Sequence, residues 1–308
     1  MENIDCGIVA GPNSSFLIEN LIQISEKLSN NKITWYICED NTAPPKYKNE
    51  ANDFSIIKNK ENVKFTDPLI SIAGSQGGDR HGMGVDILIK HLKNKEKIIL
   101  LEPDSFPCCF GWDDIILTKI NKKHPIVTFS FTKKIKNDFT EDTTSFNYWH
   151  TPITGDLGFI GINPKIFTKL NVTFMKMKYI ENDTINEKFE KLGTGRTLPI
   201  INKELSEIFE LPLNTLLQKE WGWRIAYPLK KNGYTSFKFK LFRYETNSQP
   251  YDLLFDDNNK LICIHFHHSR FWKKNDLKQQ KIEINNIFSH YNIKNEIQTL
   301  FYDNLFKN

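Results

Sequence analysis

Over the first hundred positions, apolar residues fall into short continuous runs separated by amphipathic stretches. "IDCGIVAG" (4–11) and "KITWYICED" (32–40) are such runs, and between them "SSFLIENLIQISEKLSN" sets Phe16, Leu17, Leu21, Ile22 and Ile24 toward one helical face. Runs of this kind mark strands buried on both sides, so the first forty residues predict a β-α-β unit, with Ser14 or Ser15 as the helix cap. "NTAPPKYKNEANDF" breaks the pattern with two prolines and reads as loop. "PLISIAG" (68–74) is predicted as a third strand, "GSQGGDRHG" as a glycine-rich turn, and "MGVDILIKHLKN" (83–94) as a helix with Met83, Val85, Ile87, Leu88 and Leu92 inward. A fourth strand, Ile98–Leu101, completes the series.

The second half is less regular. "PIVTFSF" (125–131) and "GFIGI" (158–162) predict strands on either side of a long polar segment. The stretch 213–234 predicts a helix in part, stopping near Asn232–Gly233 with Lys230 and Lys231 in its last turn. "YTSFKFKLF" (234–242) and "KLICIHFHH" (260–268) predict strands, and the tail from Lys278 predicts one or two helices. The alternation indicates an α/β fold, a mostly parallel central sheet with helices on both faces followed by an irregular C-terminal half.

Composition narrows the class. With 308 residues, 39% hydrophobic and 25% charged, the chain has the makeup of an ordinary globular protein and length enough for one large domain. Its 41 basic residues are nearly matched by 37 acidic ones, a net charge of +4 that permits a nucleic-acid partner without indicating one. No apolar run has the length of a membrane span or of a signal-peptide core, and the five scattered cysteines read as reduced, buried thiols, so a cytoplasmic protein is expected.

The candidate chemistry sits where the strands end. In "IILLEPD" the fourth strand runs into Pro103, which stops it and leaves Glu102 and Asp104 at its carboxyl end. Asp40 stands at the end of the second strand, and Arg80 and His81 lie in the turn after the third. Open α/β sheets bind ligands at that end. Two acids that can hold a hard divalent cation, an early acid for a ribose or base, and an Arg or His for phosphate together suit a nucleoside diphosphate.

The order "GIVAGPNSS", "WYICEDNT", "DRHGMGVDILIKHLKNKEKIILLEPDSFP" resembles the nucleotide-sugar half of GT-A fold glycosyltransferases, similar to the large family 2 group, over about the first 115 residues. That resemblance implies a Rossmann-like GT-A fold in which Asp40 contacts the nucleotide. It also implies that "EPD" replaces the Asp-x-Asp metal motif, with Glu102 for the first Asp, binding Mn²⁺ or Mg²⁺. It further implies a UDP-sugar donor, an acceptor with a free hydroxyl, and one domain over 1–308. Within it, 1–120 would bind the donor, 121–275 would face the acceptor and 276–308 would form terminal helices.

Residues 219–237 resemble the helix that carries the acceptor-side acid, which makes Glu220 the candidate general base. Asp156 is a second candidate; either would support a single inverting displacement of a hexose, and without such a base a retaining route stays open. Read from the residues alone, Glu220 fits equally an i,i+4 pair with Arg224. Many GT-A enzymes add a late histidine to the metal. Strand alternation sets His265 and His267 on one face, so either can complete the site begun by Glu102 and Asp104. The rival readings are a nucleotidyltransferase that makes a nucleotide-sugar, for which "AGPNSSF" lacks the expected basic residues, and a binding module that kept the fold without the chemistry.

Overall fold

The computed structural model describes residues 2–40, 52–69, 77–142, 156–174, 197–199, 203, 206–207, 212–213, 216–218, 222–246, 249–266 and 277–306. In the N-terminal half, β1 (Asn3–Ala10), α1 (Ser15–Leu28), β2 (Lys32–Glu39), β3 (Val63–Phe65), α2 (Gly77–His91), β4 (Ile98–Leu101), β5 (Ser105–Pro107) and α3 (Trp112–Leu117) follow in order. The remainder comprises β6 (Ile126–Ile135), β7 (Glu141–Asp142), β8 (Asp156–Ile162), α4 (Pro164–Lys169), β9 (Thr197–Pro199), β10 (Leu216–Gln218) and α5 (Gly222–Lys231). Then come β11 (Ser236–Glu245), β12 (Pro250–Phe255), β13 (Leu261–Phe266), α6 (Leu277–His290) and α7 (Asn295–Leu305).

One sheet runs through both halves in the order β3-β2-β1-β4-β8-β6-β11-β12-β13-β5, with β7 beside β6, while β9 and β10 pair separately. Parallel pairing joins β3, β2, β1 and β4 and recurs between β6 and β11; β8 runs antiparallel between β4 and β6, and the far edge from β11 to β5 is antiparallel. Helices cover both faces, as expected. Cys6, Ile8, Trp35 and Ile99 pack with Leu21 of α1, Trp112 of α3 and Phe301 of α7, whereas Val9, Tyr36 and Leu100 pack with Leu88 of α2, Phe167 of α4 and Leu229 of α5. The alternation along β1, β2 and β4 is why these strands read as nearly unbroken apolar runs: apart from the exposed Asn3 and Lys32 at their starts and the partly buried Thr34 and Glu39, their residues are buried on one face or the other.

Three local expectations change. β3 is Val63–Phe65, an unpredicted strand whose three residues carry one buried side chain, too few for a periodic signal; of the run predicted at 68–74 only 68 and 69 lie within the described residues, and neither is in a strand. Helix α2 starts at Gly77, so "GGDRHG" forms its opening turns rather than a loop. Phe16 is half exposed, because the buried stripe of α1 runs through Leu17, Ile18, Leu21 and Ile22, one position further on. Ser14 does occupy the N-cap position, yet its hydroxyl donates to Gly11 O at 2.6 Å. The orphan amides of Ser14 and Ser15 donate instead to Asn52 Oδ1, at 2.8 and 3.0 Å. The stop of α5 is as expected, with Gly233 in the left-handed region at φ +78°.

Helix α2 approaches β1 closely because two glycines face across the contact. A Cβ on Gly84 would lie 2.6 Å from Val9 Cγ1, and one on Gly7 would lie 3.2 Å from Leu88 Cδ1 of α2 as well as 2.7 Å from Leu100 Cδ2 of β4. Overpacking of this kind costs about 1–3 kcal/mol. In Gly84→Ala a gain of about 1 kcal/mol in helix propensity offsets part of that cost, but β-branched Gly84→Val has no such offset. Thermal melts are therefore expected to rank wild type above Gly84→Ala and Gly84→Val lowest; a Val variant as stable as wild type would contradict the contact.

All five cysteines are buried, and none forms a disulfide. Burial pushes Cys38 and Cys109 up to about 11, and Cys6 and Cys108 upward as well. At pH 8 the native protein is expected to leave a thiol-reactive dye untouched for many minutes, and to release five equivalents once denatured. Rapid labelling of even one thiol in the native state would contradict the core assignment.

Candidate active site

The parallel register brings the first elements of the site to one edge. Ala10 is level with Glu39, and Ile8 with Leu101, so the residues after β2 and β4 emerge at the same end of the sheet on either side of β1. Asp40 N donates to Ala10 O at 2.9 Å and Glu102 N to Gly158 O at 2.7 Å, which tie both acids to neighbouring strands. The early turns of α2 hang over this edge, held there by the glycine contact with β1. Arg80 Nε lies 3.1 Å from Asp40 Oδ2, both side chains being almost fully buried, and His81 Nε2 lies 3.5 Å from Glu102 Oε1.

The third side of the site comes from the far end of the chain. After Pro103 the backbone enters β5, which pairs antiparallel with β13 and sets Ser105 opposite His265. Phe266 N donates to Asp104 O at 2.9 Å, so the metal-motif turn is clamped to the end of β13. His265 Nε2 stands 3.1 Å from Glu102 Oε2 and 3.4 Å from Asp104 Oδ1. Glu102, Asp104 and His265 each offer a ligand atom within 4.8 Å of the others.

These residues fit a divalent cation on their own chemistry. Two carboxylates with one imidazole form a donor set that Mn²⁺ accepts readily and Mg²⁺ tolerates. Ligand atoms 2.1 Å from an octahedral ion sit about 3.0 Å apart at right angles, close to the separations of His265 Nε2 from the two acids. Ser105 Oγ, on the residue paired with His265, is buried with no hydrogen-bond partner among the described residues, as expected of a polar group beside an ion and its waters. The extra methylene of Glu102 has a visible use: it lets one carboxylate reach toward His81 with Oε1 and His265 with Oε2.

Of the residues singled out from sequence, Asp40, Arg80, His81, Glu102, Asp104 and His265 converge. The backbone of Asp156 starts β8, two residues before the Gly158 carbonyl that holds Glu102. Glu220 and His267 lie outside the described residues, as does the side chain of Asp156. Two neighbours had been missed. Arg243 and Asp252 form a two-pronged ion pair, with Arg243 Nε 2.7 Å from Asp252 Oδ1 and Nη2 2.8 Å from Oδ2, and Asp252 Oδ2 stands 4.0 Å from His265 Nδ1. An acid inside the apolar run "PYDLLF" was the available signal, but β12 had not been recognised as a strand.

Asp86 of α2, by contrast, has a structural role: its carboxylate accepts from Thr173 Oγ1 and, at 2.8 Å, from Phe174 N, pinning the segment after α4.

No family model and no curated protein matches the sequence. Among solved structures, the chain is similar to the apo-form glycosyltransferase GlyE of Streptococcus pneumoniae TIGR4, with 12% identity and a TM-score of 0.38 over 77% of this chain and 45% of that one. It is likewise similar to S. aureus TarS 1-349 in complex with UDP-GlcNAc, with 10% identity and a TM-score of 0.37 over 97% of this chain and 73% of that one. A Bacillus anthracis protein assigned as a glucose-1-phosphate thymidylyltransferase gives 10% identity and a TM-score of 0.37 over 82% of this chain and 89% of that one. The chain thus spans less than half the length of GlyE. At these TM-scores the likenesses carry no function across, and the chemistry rests on the site itself.

Proposed function

We propose that the chain is a divalent-metal-dependent GT-A glycosyltransferase that moves a hexose from a nucleotide-sugar, a UDP-sugar, to a hydroxyl of an acceptor, with residues 1–308 acting as one domain. The observation that carries this reading is the meeting of Glu102, Asp104 and His265 at the sheet edge that also presents the buried Asp40–Arg80 pair. Glu102, Asp104 and His265 would hold Mn²⁺ or Mg²⁺. When bound, the ion neutralises charge on the departing nucleoside diphosphate, the step at which the barrier is lowered.

The chain's own residues divide the remaining work. Asp40, oriented through Oδ2 by Arg80, takes a hydroxyl or N–H of the nucleoside, and His81 at the opening of α2 faces the phosphate side of Glu102. Glu220 or Asp156 serves as the base that removes the acceptor proton, giving inversion at the anomeric carbon. That none of the five cysteines forms a disulfide favours a reducing compartment, and we place the protein in the cytoplasm. Among the described residues no helix is long and apolar enough to cross a membrane.

The test is a panel of nucleotide-sugars with Mn²⁺, Mg²⁺ or EDTA, scored by release of free nucleotide. Metal-dependent release from one donor, absent with EDTA, is expected. Pyrophosphate release from a nucleoside triphosphate and a sugar phosphate would instead indicate a nucleotidyltransferase. No turnover, with no metal-dependent thermal shift by any nucleotide, would leave a binding module.

A further inference from the structure

Behind the metal cluster, a row of side chains crosses four strands in register. Arg243 of β11 is level with Asp252 of β12, Asp252 with His265 of β13, and His265 with Ser105 of β5. Residues directly opposite one another share a face of the sheet, so the row forms one continuous line ending beside Asp104. Asp252 is 1% exposed and His265 5% exposed.

A buried carboxylate needs a partner, and Arg243 supplies one with its fork, which accounts for the stability of the pair but not for its position. The position matters because imidazole has two nitrogens. With Nε2 directed at Glu102 and Asp104, Nδ1 is the atom turned toward Asp252. A ligating histidine whose second nitrogen faces a carboxylate is fixed in both tautomer and ring angle. The two-pronged contact with Arg243 in turn fixes the plane of that carboxylate, so that Oδ2 faces the ring. The separation of 4.0 Å is longer than a hydrogen bond, and about 1 Å of ring movement closes it. Contacts of this type commonly tighten only when the ligand arrives.

We propose that Asp252, held by Arg243, is a positioning residue that sets His265 for divalent-cation binding at Glu102 and Asp104. This rests on the metal-dependent reading of the site. The contact lies outside the cation's own ligands and reaches them through His265, which makes it separable by experiment.

The measurement is Mn²⁺ affinity by titration calorimetry on the full chain without donor, for wild type, Asp252→Asn, His265→Ala and the double variant, with a metal-free melt to check folding. Asp252→Asn is expected to weaken Mn²⁺ binding about 10- to 100-fold, and to add nothing further in the His265→Ala background. Arg243→Lys, which keeps the charge but loses the fork, is expected to weaken binding less. Equal Mn²⁺ affinity in wild type and a folded Asp252→Asn overturns the proposal, as does an equal loss with and without His265. Should Asp252→Asn fail to fold, unchanged affinity in Arg243→Lys overturns it. Absence of Mn²⁺ binding by the wild-type chain overturns both this proposal and the reading it rests on, whereas normal metal-dependent turnover with a neutral Asp252→Asn overturns this one alone.

Discussion

Asp104→Asn is expected to abolish metal-dependent nucleotide release, with a loss of about 10³-fold or more, because a bound ion supplies several kcal/mol to the departing group and each 1.4 kcal/mol is tenfold in rate. The substitution keeps shape and removes charge. Its backbone carbonyl still accepts from Phe266 N, so the turn between β4 and β5 stays clamped to β13. A metal-free melt is therefore expected to match wild type or exceed it, since one of two neighbouring carboxylates has been neutralised. Glu102→Asp restores the ordinary Asp-x-Asp pattern, yet it is expected to weaken the site, because the shorter acid cannot reach toward His81 and His265 at once. Metal-dependent turnover by Asp104→Asn within about threefold of wild type would sink the assignment of this residue.

The largest expected effect on stability belongs to Asp40→Ala. Arg80 is 6% exposed and Asp40 also 6%, so the substitution strips a buried guanidinium of its 3.1 Å partner. Breaking a buried pair in this way costs about 3–5 kcal/mol, a large part of the 5–15 kcal/mol or so that holds a typical domain folded. Urea unfolding is expected to show a much lower midpoint at an unchanged slope, and nucleotide affinity to fall with it. The double variant Asp40→Asn with Arg80→Met separates the two effects: with no charge left to desolvate, most of the stability is expected to return while nucleotide binding stays lost. A midpoint for Asp40→Ala within the range of surface substitutions would show the pair to be far more solvated than its burial indicates.

Where local physics decides the outcome, sequence reading located the parts. β1, α1 and β2 fall within a residue or two of expectation, because strands buried on both faces and a helix with one apolar stripe leave periodicities readable in a window of ten residues. Pro103 marked the end of β4 and left both acids just beyond it, and the register of a parallel unit carried Asp40 to the same edge. Strand alternation put His265 on one face with His267 and left the choice between them open. The acids, the arginine and a pair of candidate histidines were therefore legible in the chain.

Their meeting was not. Ser105 faces His265 across about half the length of the polypeptide, and no local pattern encodes which strand a three-residue segment will choose. β3, β5 and β12 were missed for that reason: the first two are too short for a period, and all three owe their existence to the neighbour they pair with. The Arg243–Asp252 pair followed the same fate, since an acid and a base nine positions apart become partners only once β11 and β12 lie side by side. Sequence by itself determined which side chains were available and at which ends of which strands; the tertiary pairing of β5 with β13, paid for by long-range burial rather than local propensity, decided that Glu102, Asp104 and His265 share one site.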